Sequence, residues 1–298
     1  MFRILLAMVM LLAAGSAGAQ LNVVATTANM GMLTESVGGE HVRVRVLAPP
    51  NRDAHYLDVR PTMMAALRRA DLLVAVGADL EIGWLPPAIQ GAANPRIQAG
   101  RLGYFEAAAQ VERIHAHGIT DRAMGDVHPE GSPHVYMDPM RMAAIARALA
   151  ERLGELDPGN AQRYADNAGE FADAVEQHLP RWLGLAADAP GVVLYHEDSD
   201  YLMQRLGVAV LGYVEPVPGS PPTAAHLREL VNDLRGRAGV VIHAGYQPAR
   251  GPEFLAGELG WTVHVLPTSV DIGDTAADYF DLIDRWVEAL VSAADERT

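Results

Sequence analysis

The sequence predicts an α/β protein with two lobes, each built on a parallel sheet, and one long helix that joins them. Short β-branched strands alternate with helical stretches before residue 100 and again after residue 190. This alternation is typical of parallel sheets with helices packed on their faces. The chain of 298 residues is also longer than one hydrophobic core usually holds, which favours two lobes over one.

Residues 1–19 are predicted to be a secretory signal peptide. Arg3 supplies the positive start, an apolar run extends from Ile4 to Ala14, and small residues occupy positions 17–19. The run is too short to span a membrane, which takes about 20 apolar residues. No later stretch reaches about 18 apolar residues, so the sequence predicts a mature chain that begins at Gln20 and is soluble in the periplasm.

The N-terminal lobe is predicted to comprise residues 20–138. A long loop is expected at about residues 107–133, because this segment has several Gly and Asp residues and no sustained hydrophobic period. The elements before it are the strands Leu21–Thr26, His41–Leu47 and Leu72–Val76 and the helices Ala28–Val37 and Pro61–Arg69.

A helical region is predicted at residues 139–187. Met140–Leu153 forms one helix, and a second helix opens at Asp157 with a proline in its first turn. This linking helix is predicted over about 158–179, where Pro180 breaks or ends it. At 1.5 Å per residue it would be on the order of 33 Å long, which indicates a rigid strut between two α/β halves.

The C-terminal lobe is predicted at residues 188–298, where strands and helices alternate again. The predicted strands are Val192–His196, Val208–Val214, Val240–His243 and Val263–Leu266, and the predicted helices are Ser199–Leu206, Thr223–Arg235, Pro252–Leu259 and Ala276–Ala293.

Composition excludes several classes of protein. The chain has 37 acidic and 23 basic residues, a formal net charge of −14 and no basic stripe, so nucleic-acid binding is not expected. It contains no cysteine, which excludes thiolate metal sites, disulfides, cysteine nucleophiles and a lipid-anchored N-terminal cysteine.

Three histidines stand at the ends of predicted strands or beside them. His55 follows the second strand, His134 lies where the long loop meets the helical region, and His196 ends the first strand of the C-terminal lobe. Ligands bind at this edge of open α/β sheets, and zinc is commonly bound by neutral imidazole with a carboxylate beside it. Asp271 is the predicted carboxylate, with Asp274 as its alternative. Because these residues are far apart in sequence, their spacing alone leaves a structural role open for each.

Four stretches of the chain carry motifs in a definite order. Arg52–Pro61 matches a DPH…P pattern with Ala54 in place of the proline, and Ala70–Leu85 matches ADLVV…G…E.WL. Ser132–Pro139 matches DPHVWLDP, and His196–Gly207 matches HDAFGYF…GL. Together these motifs resemble those of the metal-specific solute-binding proteins of ABC transporters, the family that takes up zinc and manganese. The resemblance extends over nearly the whole mature chain.

The resemblance implies a metal held between two α/β lobes and delivered to an ABC permease in the inner membrane. It assigns His55 and His134 as ligands from the first lobe and His196 as a ligand from the second. Relatives often carry an acid directly after the last strand, but this chain does not. Asp271, Asp274 or a water molecule therefore remain the alternatives for the fourth ligand.

Zinc is the predicted metal and manganese the less favoured one, because manganese prefers more oxygen ligands. Zinc-specific relatives often carry a histidine-rich, acidic loop where this chain has His115, His117 and His128. This predicts a loop that captures zinc weakly and passes it to the main site, with an ordinary polar loop as the alternative. The protein is expected to be a monomer without enzymatic activity, and a periplasmic metallochaperone is a candidate partner. A secreted zinc hydrolase and an adhesin are the alternatives from other classes.

Overall fold

The computed structural model describes residues 20–115, 128–217 and 219–295. The predicted signal peptide and His117 of the predicted loop lie outside these ranges. Two four-stranded parallel sheets, one in each half of the chain, confirm the predicted α/β fold with two lobes. Among the described residues, no helix is long and apolar enough to cross a membrane.

The N-terminal lobe is built on the first four strands. Its elements are β1 (Leu21–Ala25), α1 (Ala28–Gly38), β2 (Val42–Val46), α2 (Pro61–Leu67), β3 (Leu72–Ala75), α3 (Leu85–Ala92) and β4 (Tyr104–Glu106). The strands pair in the order β2-β1-β3-β4, and every pair is parallel. The carboxyl ends of all four strands therefore lie along one edge of the sheet.

The central strand β3 is apolar throughout because both of its faces are covered. Leu72 and Val74 face the main hydrophobic core, which continues into α1 and the helical region. Leu73 and Ala75 face a separate cluster formed with α2 and α3. Successive side chains of a strand point to opposite faces, so a strand between two helical layers needs apolar residues at every position.

Two long helices follow, α4 (Pro139–Leu156) and α5 (Ala161–Ala186), with a single 3₁₀ turn at Pro158–Asn160 between them. The linking helix predicted at 158–179 corresponds to α5, which begins three residues later and ends seven residues later. Its 26 residues make it about 39 Å long. It packs most extensively against α4 and also contacts α1 and the C-terminal helix Ala276–Asp295.

Pro180 does not end α5, contrary to the prediction from sequence. A proline inside a helix removes one backbone hydrogen bond and crowds the preceding turn. Pro180 is exposed, whereas Val175, Trp182 and Ala186 on either side of it are buried in the main core. Packing of these side chains holds the helix together across the proline.

The C-terminal lobe repeats the design of the first. Its elements are β5 (Val192–Leu194), α6 (Asp200–Leu206), β6 (Val210–Tyr213), α7 (Ala224–Leu234), β7 (Val240–His243), α8 (Arg250–Leu259), β8 (Thr262–Val265) and α9 (Ala276–Asp295). The sheet order is β6-β5-β7-β8, with every pair parallel. In both sheets the first strand of the lobe is therefore central.

An ion pair with a fully buried carboxylate joins the start of α4 to the C-terminal lobe. Asp138 is fully buried, and its carboxylate accepts two hydrogen bonds of 2.9 Å from the guanidinium of Arg205 on α6. Arg141 also donates to the Asp138 carboxylate. The same carboxylate accepts from the backbone N–H of Met140 and so caps α4. One side chain thus begins a helix of the middle region and ties it to the C-terminal lobe.

Candidate metal centre

Three loops at the carboxyl edges of the two sheets bring three histidines together. His55 lies between β2 and α2, His134 comes directly before the turn that leads into α4, and His196 directly follows β5. One ring nitrogen from each lies within 4.8 Å of the others, and the ring centroids are 5.3 to 5.8 Å apart. We refer to these three residues as the histidine cluster.

Each ring of the cluster is held through its Nδ1 atom. Nδ1 of His55 lies 2.7 Å from Oδ1 of Asp53, and Nδ1 of His134 lies 2.8 Å from the hydroxyl of Tyr136. Nδ1 of His196 lies 3.2 Å from Oε2 of Glu215. With Nδ1 engaged in this way, the Nε2 atom of each imidazole is the one left for a ligand, and the ring orientation is fixed.

The electrostatic surroundings of the three rings differ. Burial lowers the pKa of His134 well below its usual value, and the neighbouring histidines lower it further. Burial acts in the same direction on the pKa of His196, but the hydrogen bond to Glu215 and nearby carboxylates outweigh it and raise that pKa to about 9. The pKa of Asp53 is lowered, because its hydrogen bonds and charge interaction with His55 outweigh the effect of burial.

The histidine cluster fits a divalent transition metal. Nε2 of His134 is buried and has no hydrogen-bond partner among the described residues. Buried polar atoms are almost always partnered, so such an atom, pointing toward two further imidazoles, is what a metal ligand requires. Zinc binds imidazole nitrogen at about 2.0–2.1 Å, and small movements of side chains less than 5 Å apart would bring all three nitrogens to that distance.

The cluster lies at a cavity of about 430 Å³ between the lobes. Residues from both lobes line it, including Asn29 and Tyr56 from the first and Tyr246, Thr268 and Ser269 from the second. One water molecule occupies about 30 Å³ in the liquid. The cavity is therefore far larger than a single metal ion with one bound water. The cavity therefore has room for an ion beside the histidines.

The structure does not bring Asp271 to the histidine cluster. After β8 the chain passes the cavity at Thr268 and Ser269, and Val270 is then buried against α1. Asp271 lies beyond this point on the exposed surface, where its backbone N–H donates to Oδ2 of Asp274 at 2.7 Å. Neither carboxylate is among the described residues that line the cavity. The expected place of the acid is taken by hydroxyl side chains.

The described ends of the predicted loop carry two histidines with different surroundings. Nε2 of His128 lies 3.2 Å from Nε2 of His55, and its ring centroid is 6.2 Å from that of His134. His115 instead approaches Asp200 of α6, with Nε2 and Oδ2 2.7 Å apart, and this hydrogen bond raises the pKa of His115. His128 therefore joins the edge of the cluster, whereas His115 is turned toward the C-terminal lobe.

Sequence reasoning missed the three residues that hold the Nδ1 atoms. Asp53 and Tyr136 each lie two positions from the histidine that they contact, so attention to polar neighbours in the motifs could have found them. Glu215 is 19 positions from His196. It is brought near because β6, which precedes it, pairs with β5, and only knowledge of the strand order would have revealed that contact.

The fold and the site together define a class: two-lobed solute-binding proteins with a candidate metal site in the cleft. The chain belongs to the family described as "Zinc-uptake complex component A periplasmic" (ZnuA), whose sequence profile matches residues 23–293. The predicted family is confirmed, and so is the predicted class of function, the metal-binding component of an ABC importer.

The chain is similar to individual proteins named for zinc and for manganese. The chain is 24% identical over 236 residues to the high-affinity zinc uptake system protein ZnuA of Yersinia pestis, covering 74% of each. It is 24% identical over 248 residues to the manganese ABC transporter substrate-binding lipoprotein PsaA of Streptococcus mitis, covering 79% of this chain and 77% of that protein. Among solved structures, the SBP FpvC of Pseudomonas aeruginosa in complex with Mn²⁺ matches with a TM-score of 0.76 at 22% identity, over 94% of this chain and 100% of that chain. This last likeness supports the fold.

Proposed function

We propose that this protein captures Zn²⁺ in the periplasm and delivers it to the permease of an ABC importer. The observation that carries the proposal is the convergence of three imidazoles from both lobes on one point of the cleft. Every protein donor in that group is a nitrogen atom, and manganese favours oxygen-rich sites. Some relatives are named for zinc and others for manganese, so the names of relatives do not distinguish the two metals. The preference for zinc rests on the nitrogen donors of this chain.

The proposed ligands are the Nε2 atoms of His55, His134 and His196, because the Nδ1 atoms are engaged elsewhere. His128 is the proposed fourth donor. Two ligands of a tetrahedral zinc at 2.0–2.1 Å are about 3.3 Å apart, and the Nε2 atoms of His55 and His128 are already separated by 3.2 Å. A zinc ion between the four rings would replace the hydrogen that these two nitrogens share.

The proposal is tested by titrating the chelator-stripped mature protein, residues 20–298, with Zn²⁺ and Mn²⁺ in competition. Calorimetry and elemental analysis are expected to give about one tightly bound zinc per chain and a clear preference for zinc over manganese. Tighter binding of manganese, or no specific binding of either ion, would contradict the proposed function.

His128→Ala is expected to weaken zinc binding by about tenfold, while Asp271→Ala leaves it unchanged. Water can occupy a fourth position on zinc, so the loss of His128 should cost less than the loss of a buried ligand. Asp271 is the matched control, since it is exposed and does not line the cavity. Zinc affinities from competition with a chromophoric chelator check both values. If Asp271→Ala weakened zinc binding more than His128→Ala did, the Asp271 carboxylate would be the fourth ligand instead of His128.

Zinc binding at pH 7 is expected to release about one proton per chain. The pKa of His196 is raised to about 9, so its imidazole is protonated at pH 7, and a histidine must be neutral to bind metal. The apparent zinc affinity should therefore rise by about tenfold per pH unit toward pH 9 and then level off. Calorimetry in buffers with different ionisation enthalpies counts the protons. The Glu215→Gln variant should release fewer protons when it binds zinc. A zinc affinity that does not vary between pH 6 and 8 would contradict the expectation.

Binding and release of the ion are the whole of the proposed activity, and the permease is the proposed partner. The mature chain would be soluble in the periplasm and would act as a monomer. His115 is half-buried, lies beside Asp200 and is outside the proposed ligand set. A periplasmic metallochaperone that loads the site remains part of the proposal.

A further inference from the structure

The partners of the three Nδ1 atoms are of two chemical kinds. Asp53 and Glu215 present carboxylates, which only accept hydrogen bonds when ionised. Tyr136 presents a hydroxyl, which can either accept a hydrogen bond from His134 or donate one to it. The carboxylates therefore allow one direction of the hydrogen bond to their histidines, whereas the pair of His134 and Tyr136 allows two.

The two directions have opposite consequences for Nε2 of His134. When His134 donates from Nδ1 to the oxygen of Tyr136, Nε2 carries a lone pair and can bind a metal. When Tyr136 donates to Nδ1, the hydrogen of the neutral imidazole is on Nε2. No described residue accepts a hydrogen bond at that buried position, and a buried N–H without an acceptor is rare and costly. The surroundings therefore favour the first arrangement.

Tyr136 is held firmly in the place where it accepts this hydrogen bond. It is 7% exposed, and its neighbours Val135 and Met137 are fully buried. Its backbone carbonyl accepts a hydrogen bond of 2.9 Å from the hydroxyl of Tyr279 on α9. Because Tyr136 also lines the cavity, it can turn its own hydrogen toward the cleft while its oxygen accepts from His134.

We propose that Tyr136 is the positioning residue that holds His134 in its metal-binding tautomer, with the hydrogen on Nδ1, and thereby sets the metal affinity of the cleft. This inference rests on the proposed function for its effect on zinc binding. Its effect on the tautomer concerns the metal-free protein and stands apart from any bound ion. Partners that orient a metal-binding histidine in this way typically contribute 10- to 100-fold to affinity.

The test combines nuclear magnetic resonance with metal titration of the full mature chain. In the metal-free wild-type protein, long-range ¹H–¹⁵N spectra are expected to report His134 with its hydrogen on Nδ1. Tyr136→Phe should convert this signal to the Nε2–H form or to a mixture of both, and should weaken zinc binding by about 10- to 100-fold. Tyr104→Phe is the control, since Tyr104 loses one hydrogen bond, to Glu106, elsewhere in the same lobe.

Each outcome bears on the inference. A wild-type His134 with its hydrogen on Nε2 would overturn it, and this holds even if Tyr136→Phe does not fold. An unchanged tautomer and unchanged zinc affinity in folded Tyr136→Phe would overturn it as well. If the tautomer shifts as expected but the wild-type protein binds no zinc, the positioning role stands and the proposed function fails.

Discussion

Replacing His134 with alanine is expected to lower the zinc affinity by about two to three orders of magnitude. Zinc sites of four protein ligands are worth roughly 10–16 kcal/mol, so one ligand accounts for about 2.5–4 kcal/mol, and each 1.4 kcal/mol is about tenfold. His134 is the most buried member of the histidine cluster, and its pKa is lowered by that burial. Its imidazole is therefore neutral and ready to bind at pH 7.

The affinity of His134→Ala is best measured by competition with a chelator of known strength. His41→Ala is the matched control, because His41 precedes β2 at the opposite edge of the same sheet and contacts the ring of Tyr164. The control should bind zinc as the wild-type protein does. If His134→Ala bound zinc within threefold of wild type, the histidine cluster would not be the metal site.

Replacing Asp138 with alanine is expected to destabilise the folded protein by about 3–5 kcal/mol. The Asp138 carboxylate is fully buried and accepts hydrogen bonds from Arg141 and Arg205. Removal of the shared carboxylate leaves these two guanidinium groups without their partner in a partly buried joint. It also removes the cap of α4, so the lobes and the middle region lose one common anchor.

Thermal unfolding of the metal-free protein measures this effect. A loss of 3–5 kcal/mol corresponds to a fall in Tm of roughly 6–20 °C for a protein of about this size. The control is Glu176→Ala, which breaks an ion pair with Arg147 in which both side chains are more than half exposed. Exposed pairs contribute about 0–1 kcal/mol. An equal effect of both substitutions would show that burial of the Asp138 pair has no special importance.

The fold could be predicted from the sequence because its signals are local. Strands such as β1 and β3 are short apolar runs flanked by turns, and their alternation with helices implies parallel sheets. The same reasoning placed His55, His134 and His196 at or beside the ends of predicted strands. Their meeting in one cleft between the lobes was expected only from the resemblance to metal-specific solute-binding proteins.

The end of α5 and the position of Asp271 could not be predicted in this way. Pro180 is a correct local signal for a helix end, but the packing of Trp182 against residues distant in sequence overrides it. Asp271 is only six positions beyond β8, yet the chain between them follows the cleft and then turns away. Closeness in sequence does not determine which way the chain runs after a strand. Here the course of the chain depends on the hydrogen bond from the backbone N–H of Val270 to Oδ1 of Asn29 on α1.

His128 illustrates a different limit. Its segment has no hydrophobic period, so the sequence predicted a loop rich in histidine without distinguishing one histidine from another. The structure separates the two described ones, with His128 beside His55 and His115 beside Asp200. These contacts join residues more than seventy positions apart, and tertiary packing alone determines them.

A crystal structure of the mature protein loaded with zinc would locate the bound ion. We expect one zinc ion in the cleft, bound at about 2.0–2.1 Å by the Nε2 atoms of His55, His134 and His196, with a fourth donor on the side of His128. Zinc bound elsewhere, or through an Nδ1 atom of one of these histidines, would contradict this expectation.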